Sequence, residues 1–142
     1  MSTIHASAVL IGPKAALIRG PSGAGKSRLA FDLLDALPFA RLVADDRALI
    51  EARAGRLLVR PAPELAGLIE VHGLGIRRLP YEPVAVAGLV VDLAAADAAR
   101  VPAREATQTA LEGVALARLA VAPGMPALPL LLAFLKAPPA AD

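Results

Sequence analysis

The alternation of apolar and polar positions predicts a chain that begins as a β-hairpin. Residues 4–11 alternate, a turn at 12–14 follows, and residues 15–18 form a short apolar run. In an extended strand the side chains of His5 and Ser7 point to the same face, away from the apolar positions between them. We therefore expect His5 to lie near the segment that the second strand enters.

Helical spacing replaces this alternation after residue 25. Apolar residues recur three and four positions apart over residues 26–37, and Pro38 ends the pattern. A buried strand is predicted at 41–44, and a second hairpin at 48–52 and 56–59. The order of strand, glycine-containing turn and helix indicates an α/β fold.

The second half of the chain predicts fewer elements. Strands are expected at 84–93 and 116–122, and residues 101–113, with a proline and mixed polar groups, are expected to form a loop. The nearly continuous apolar stretch 125–135 predicts a helix buried against the core or a neighbouring subunit. We expect one domain over 1–136 and a flexible tail over 137–142.

Composition limits the classes of function. The chain has 142 residues, of which 56% are hydrophobic and only 3% aromatic, so its core must consist of small aliphatic side chains. The net charge is +2, and the cations are scattered without aromatic neighbours, which argues against a nucleic-acid surface. The sequence shows no export signal, no membrane-spanning stretch and no cysteine, so we expect a cytoplasmic protein without membrane association.

A phosphate-binding loop lies between the first hairpin and the helix. The segment matches the pattern G-x-x-x-x-G-K-[ST] and consists of Gly20, Pro21, Ser22, Gly23, Ala24, Gly25, Lys26 and Ser27. In such loops backbone N–H groups surround the phosphates of a nucleotide, the lysine reaches the β- and γ-phosphates, and the hydroxyl binds Mg²⁺. The sequence thus predicts a nucleotide and Mg²⁺ as ligands.

Two acids follow the strand predicted at 41–44. In enzymes with a phosphate-binding loop, carboxylates such as Asp45 and Asp46 hold Mg²⁺ or take a proton from the attacking group. The alternative is an exposed turn at the end of a strand, which acids commonly occupy. The loop about 20 residues earlier favours the functional interpretation.

Glu70 and His72 lie in an apolar segment that ends in two glycines. The pattern by itself favours a strand that leads into a glycine turn, with Glu70 solvated and His72 packed. The glycines also allow the backbone to approach a ligand closely.

Taken together, these motifs resemble the bacterial HPr kinase/phosphorylase family. The resemblance covers roughly residues 4–124 and includes Leu-Val-Ala-Asp-Asp at 42–46 and Glu-Val-His-Gly-Leu-Gly-Ile at 70–76. It implies a domain similar to phosphoenolpyruvate carboxykinase, with a β-rich core and a helix after the phosphate loop. It also implies a hexameric, ATP- and Mg²⁺-dependent enzyme that phosphorylates a serine of the phosphocarrier protein HPr. The chain resembles a short form without the family's N-terminal domain.

The resemblance also implies roles for individual residues. Asp46 would accept the proton of the substrate serine with the support of Asp45, and Glu70 would hold the metal together with Ser27. His5 would lie beside the transferred phosphate. The family's further active-site arginine aligns most closely with Arg100.

Two departures from the family pattern concern positive charge. His72 stands where the family usually has arginine, so an imidazole replaces a permanently charged guanidinium. The downstream loop at 121–126, which is rich in arginine in full-length members, has no basic residue here. Since phosphorolysis must hold free phosphate beside a phosphoserine, we expect the kinase direction to dominate.

Three functions stay open at this point. The first is a serine kinase that acts on HPr, and the second is a phosphotransferase of the same fold with a small-molecule acceptor. The third is a nucleotide-binding regulatory module that has lost catalysis, for which His72 is the main evidence.

Overall fold

The structure of the chain is a computed structural model that describes residues 1–140. The last two residues of the tail predicted at 137–142 lie outside the described residues. The strands are β1 (Ser2–Ile4), β2 (Ser7–Leu10), β3 (Ala15–Arg19), β4 (Arg41–Ala44), β5 (Ala48–Arg53), β6 (Arg56–Pro61), β7 (Leu68–Val71), β8 (Gly75–Arg78), β9 (Ala85–Asp92), β10 (Gln108–Leu111) and β11 (Val114–Ala120). The helices are α1 (Lys26–Ala36) and α2 (Ala127–Lys136).

Strand β9 is the centre of a nine-stranded sheet. Along one edge its residues 87–92 pair in parallel with all of β3. Along the other edge the first residues of β9 pair antiparallel with β6, and its last residues pair in parallel with β11. The sheet therefore splits beyond β9 and curls, as the strong twist of sheets favours.

This topology places several strand ends at one edge of the sheet. Strands β3, β9 and β11 are parallel, and β4 runs in the same direction because β2 pairs antiparallel with both β3 and β4. The carboxyl ends of these four strands and the start of β2 thus meet at the same edge. Ligands of α/β sheets bind at this edge.

Two apolar clusters stabilise the sheet, and both are aliphatic. One lies among β2, β3, β5, β6 and β9 and includes Leu17, Ile50 and Val59. The other lies under the helices and contains Leu33 of α1 and Leu131 of α2, both fully buried. The prediction of a core without aromatic side chains is confirmed.

Helix α1 begins at the predicted residue and ends one residue before the predicted end. Leu29, Ala30 and Leu33 form its buried face. The helix ends before Leu37, whose backbone is extended because a proline follows it. The N–H of Leu37 donates to the carbonyl of Leu33. The buried face packs α1 against the sheet behind the phosphate loop.

Two sequence-based predictions were wrong in detail. Residues 4–11 do not form one strand, because the chain bends at His5 and starts again as β2. Residues 101–113 are not only a loop, since β10 lies there and pairs with β11. The helix predicted in the apolar stretch after residue 125 is present as α2, and it packs on the core through Leu131. Phe134 is 42% exposed, so the single chain covers this helix only in part.

Strands β7 and β8 form a separate two-stranded hairpin beside the main sheet. This arrangement agrees with a strand that leads into a glycine turn.

Within residues 1–140, no helix is both long and apolar enough to cross a bilayer.

Candidate functional site

The phosphate loop presents unpaired backbone N–H groups at the start of α1. Gly25 precedes the helix with φ 99°, a backbone conformation that side chains with a Cβ rarely adopt, and no side chain caps this end. The first turn of α1 contains no acid. A helix start of this kind attracts an anion because the dipole and the free N–H groups act together.

At the other end of the loop, position 20 must be glycine because the backbone there lies close to Leu93 and Ala24. A Cβ at this position would lie 3.1 Å from the Cβ of Leu93 and 3.2 Å from that of Ala24. The N–H of Leu93 also donates to the carbonyl of Arg19 at 2.8 Å. The loop is therefore packed against the end of β9.

The ammonium group of Lys26 lies against the loop itself. Its Nζ donates to the carbonyl oxygens of Gly20 at 2.9 Å and Pro21 at 3.3 Å. These neutral carbonyl oxygens hold the ammonium group over the loop. The phosphate oxygens of a bound nucleotide are charged and therefore stronger acceptors, so they would replace the carbonyls.

Asp45 is the buried carboxylate at the centre of the site. Its side chain accepts hydrogen bonds from the hydroxyl of Ser27 at 2.7 Å and from the hydroxyl of Ser7 at 2.7 Å. The backbone N–H of Glu70 donates to the second carboxylate oxygen at 3.2 Å. Asp45 thus joins β2, β7 and the first turn of α1.

Asp46 differs from Asp45 in both exposure and backbone conformation. It is exposed and has φ 68°, in the left-handed region that non-glycine residues seldom occupy. Its N–H donates to the hydroxyl of Ser7 at 3.2 Å, which helps to hold that conformation. Strained backbone of this kind persists only where the surrounding structure stabilises it, and it is most frequent at functional sites.

Ser7 contacts both acids of the site, which the sequence analysis did not predict. It is fully buried and binds both Asp45 and the backbone of Asp46. The available signal was a hydroxyl inside the otherwise apolar strand β2. Its partner is 38 residues away, so only the pairing of β2 with β4 shows what that hydroxyl contacts.

A cavity of about 940 Å³ collects most of the residues singled out in the sequence. It is bordered by the loop, by Lys26 and Ser27, and by His5, Asp46, Glu70 and His72. His72 is exposed in the turn between β7 and β8, so it is not a packing residue. Arg100 is also exposed, in the segment after β9, and is not among the residues that border this cavity.

The oxygen-bearing side chains at the cavity suit Mg²⁺, which needs few protein ligands, better than they suit a metal that only protein groups coordinate. Within residues 1–140, no three His, Cys, Asp or Glu side chains converge to form a metal cage. Mg²⁺ characteristically binds one or two protein oxygens and completes its shell with phosphate oxygens and waters. The hydroxyl of Ser27 and the carboxylate of Glu70 border the cavity and are the groups that would hold it.

An ion-pair network stabilises the ends of the parallel strands behind the loop. Asp92 of β9 accepts two hydrogen bonds from Arg19, at 2.7 and 2.8 Å, and one from Arg118 at 2.6 Å. Burial by itself would raise the pKa of Asp92, but the hydrogen bonds and charges of the two arginines lower it below its ordinary value. The hydrogen bond from Arg118 likewise lowers the pKa of Asp97. These contacts join β3, β9 and β11 where the loop begins.

The fold and the site define a domain with a phosphate-binding loop on a curled, strand-rich α/β sheet. The family model of the HPr Serine kinase C-terminal domain matches residues 1–79, more than half of the chain. The chain belongs to this family, as the motifs in the sequence indicated.

Curated relatives match about half of the chain. An HPr kinase/phosphorylase from an Exiguobacterium species is 42% identical over 77 residues, which are 54% of this chain and 24% of that protein. The HPr kinase/phosphorylase of Mycoplasma mycoides is 36% identical over 72 residues, which are 51% of this chain and 22% of that protein. The chain therefore matches less than a quarter of the length of these relatives.

A solved structure extends the similarity of fold to nearly the whole chain. The Hpr(Ser) kinase/phosphatase from Coxiella burnetii superposes with a TM-score of 0.75 and covers 96% of this chain and 94% of that chain. Its sequence identity is 24%, so this likeness concerns the fold. The α/β fold class expected from the resemblance is confirmed.

Proposed function

We propose that this protein is an ATP- and Mg²⁺-dependent serine kinase that phosphorylates the phosphocarrier protein HPr. One observation carries the proposal: Asp45 binds the hydroxyl of Ser27 directly, while the exposed Asp46 borders the same cavity as Lys26. The start of α1 therefore combines a hydroxyl that would bind the metal, its carboxylate partner and a second carboxylate that a substrate can reach.

The proposed reaction is in-line transfer of the γ-phosphoryl group. Lys26 would leave the loop carbonyls and bind the β- and γ-phosphates. Asp46 would accept the proton of the serine hydroxyl as its oxygen bonds to phosphorus, and the bond to ADP breaks on the opposite side. Mg²⁺, when bound, neutralises charge on the phosphate oxygens.

The other residues of the cavity would position these groups. Asp45 holds Ser27 in place and is itself held by Ser7 and by the N–H of Glu70. The carboxylate of Glu70 would complete the metal site, and His5 would lie beside the transferred phosphate. Because phosphoryl transfer depends mainly on alignment and charge, such a set of groups is sufficient in principle.

The test is transfer of labelled phosphate from ATP to the organism's own HPr with Mg²⁺ present. We expect Asp46→Asn to lower the rate by about 100-fold or more while ATP binding is retained. Asp35→Asn is the matched control, because Asp35 is an exposed acid on α1 that does not border the cavity. Equal rates in the Asp46→Asn variant and the wild type would contradict the role of Asp46.

The same assay separates the remaining functions. Transfer to small hydroxyl compounds but not to HPr would indicate a phosphotransferase with a small-molecule acceptor. ATP binding without transfer to any acceptor would indicate a regulatory module.

We further propose that phosphorolysis is weak or absent. The loop at 121–126 contains no basic residue, and His72 replaces the arginine usual in the family. Release of pyrophosphate from phosphorylated HPr at high phosphate concentration measures this reaction directly. Turnover comparable to the forward rate would show that other residues supply the charge.

We also propose that the protein is a homo-oligomer, as the hexamers of the family suggest. The apolar side chains of Phe134 and Leu135 on α2 are each 42% exposed in the single chain, which supports a subunit contact there. Light scattering on a size-exclusion column tests this proposal, and a monomer at all concentrations would refute it.

A further inference from the structure

The cavity at the phosphate loop is bordered by more acids than permanent cations. Among its bordering residues in the described part of the chain, the permanent cations are Lys26 and Arg28, and the acids are Asp32, Asp46 and Glu70. A nucleoside triphosphate would add several negative charges, which a bound Mg²⁺ neutralises only in part. Each cation at the border therefore matters for holding such a ligand.

Arg28 makes only a weak contact within the chain. Its Nε donates to the two carboxylate oxygens of Asp32 at 3.2 and 3.1 Å, and its side chain is 81% exposed. Exposed pairs four residues apart on a helix stabilise little, and they stabilise less when the cation precedes the acid, as it does here. Because this contact uses Nε, the terminal amino groups of the guanidinium are left for another acceptor.

The position of Arg28 in α1 is unfavourable for the empty protein. Arg28 is the third residue of the helix, and the start of a helix carries a partial positive charge that repels a cation. An anion at the same place reverses the balance, because the helix dipole, the loop N–H groups and the guanidinium then attract it together. An arginine at this position therefore suits a loop that is occupied by phosphate.

Arg28 also lies at the border of a second cleft, of about 650 Å³, which the connection at 121–126 lines. That connection has no basic residue, and Arg28 is the only cation among the described residues that border this cleft. Arg28 thus supplies positive charge on the side of the loop where the connection supplies none.

We propose that Arg28 is a second phosphate-binding cation, which acts beside Lys26. When a polyphosphate occupies the loop, the guanidinium leaves Asp32 and donates to phosphate oxygens, which can accept two of its N–H groups in parallel, whereas Asp32 accepts only from Nε. Asp32 is then the group that competes with phosphate for Arg28. This inference rests on the proposed function, because it assumes that the loop holds the phosphates of a nucleotide.

Removal of the charge tests the inference through affinity, measured by calorimetry with inorganic tripolyphosphate and with Mg-ATP. We expect Arg28→Gln, which keeps most of the side-chain length, to weaken binding of both ligands about tenfold. Arg56→Gln is the matched control, because it changes the net charge equally at an exposed residue of β6 that borders neither the cavity nor the second cleft. Its affinities should stay within about twofold of the wild type.

Two further measurements distinguish phosphate binding from a structural role. The melting temperature of the ligand-free Arg28→Gln variant should equal or exceed that of the wild type, because the lost ion pair is weak and the helix start no longer carries a cation. Asp32→Asn should increase the affinity for tripolyphosphate about two- to threefold, because it removes the competing carboxylate. The increase should be smaller when Arg28→Gln is also present.

The outcomes separate this inference from the proposed function. Equal affinities in the Arg28→Gln and Arg56→Gln variants would overturn the role of Arg28, and so would a weaker affinity that accompanies a lower melting temperature. An equal effect of Asp32→Asn with and without Arg28→Gln would overturn the competition. If the wild type binds neither ligand, the proposed function fails and this inference fails with it. If the wild type binds both but phosphorylates no HPr, the kinase function fails, while a loss of affinity in the Arg28→Gln variant still supports the role of Arg28.

Discussion

Replacement of Ser7 by alanine should affect both stability and the rate of transfer. The hydroxyl is fully buried, donates to Asp45 at 2.7 Å and accepts the N–H of Asp46 at 3.2 Å. Removal of Oγ deletes a hydrogen bond to a charged group and leaves a peptide N–H without its acceptor. Each effect is typically about 1–3 kcal/mol.

The two effects are not fully additive, because Asp45 keeps its bonds from Ser27 and from the N–H of Glu70. We therefore expect Ser7→Ala to lower the free energy of unfolding by about 2–3 kcal/mol. For a chain of this size that corresponds to a decrease in Tm of about 6–12 °C. Urea unfolding followed by circular dichroism measures the change, with an unchanged slope expected.

The rate of transfer should also fall, because Ser7 holds both Asp45 and Asp46 in position. The backbone of Asp46 is held at φ 68° with the help of Ser7, so loss of this contact should misalign the carboxylate. We expect kcat to fall about tenfold while KM for ATP changes less than about threefold, because the loop N–H groups and Lys26 are untouched. Ser7→Thr, which retains the hydroxyl, should recover much of the rate.

Ser2→Ala serves as the control for serine removal as such. Ser2 pairs with Glu112 at the surface and should contribute less than about 0.5 kcal/mol. If Ser7→Ala behaves like this control in both unfolding and kcat, the hydroxyl of Ser7 neither stabilises the fold nor positions the acids.

The remaining predictions concern charge. Lys26→Ala should abolish transfer and weaken ATP binding at least about tenfold without unfolding the chain, because its Nζ contacts only loop carbonyls; wild-type affinity by calorimetry would contradict this. His72→Arg should increase transfer or phosphorolysis, since the residue borders the cavity and would add a permanent charge; unchanged rates in both assays would refute it. Asp92→Asn should destabilise the chain at pH 7 by about 1–3 kcal/mol. The pKa of Asp92 is lowered in the folded state by Arg19 and Arg118, so the contribution of its charge is present above its ordinary value of 3.8 and is lost as the pH falls below it. Urea unfolding at pH 7 and pH 3 should therefore show a smaller difference between wild type and the Asp92→Asn variant in acid.

Much of the candidate site was predictable because its parts are contiguous or end a recognisable strand. The loop residues 20–27 and α1 follow from local spacing, and Asp45 and Asp46 follow directly from β4. The family resemblance assigned these residues to one active site. Arg100 shows the limit of this reasoning, since it lies in an irregular segment where alignment has no periodic pattern to guide it.

Other contacts could not be predicted because they join distant segments. Arg19 and Asp92 are 73 residues apart, and Ser7 and Asp45 are 38 apart. Neither pair follows from the spacing of residues; both depend on the order of strands in the sheet. Strand β10 was missed for a related reason: it is stabilised by its pairing with β11, and its own sequence shows little alternation.

By itself the sequence determined the local elements and the chemistry that they carry: a glycine loop at a helix start, a lysine and a hydroxyl for phosphate and metal, and two acids after a strand. These properties depend on neighbours along the chain, within the reach of one turn or one strand. The tertiary structure alone decided that one acid is buried under two serines while the next is exposed and strained. It also decided that the connection at 121–126 lines a cleft beside the loop. The physical reason is that burial and long-range hydrogen bonds depend on the pairing partners of β9 and β2, which bring together segments that no periodicity connects.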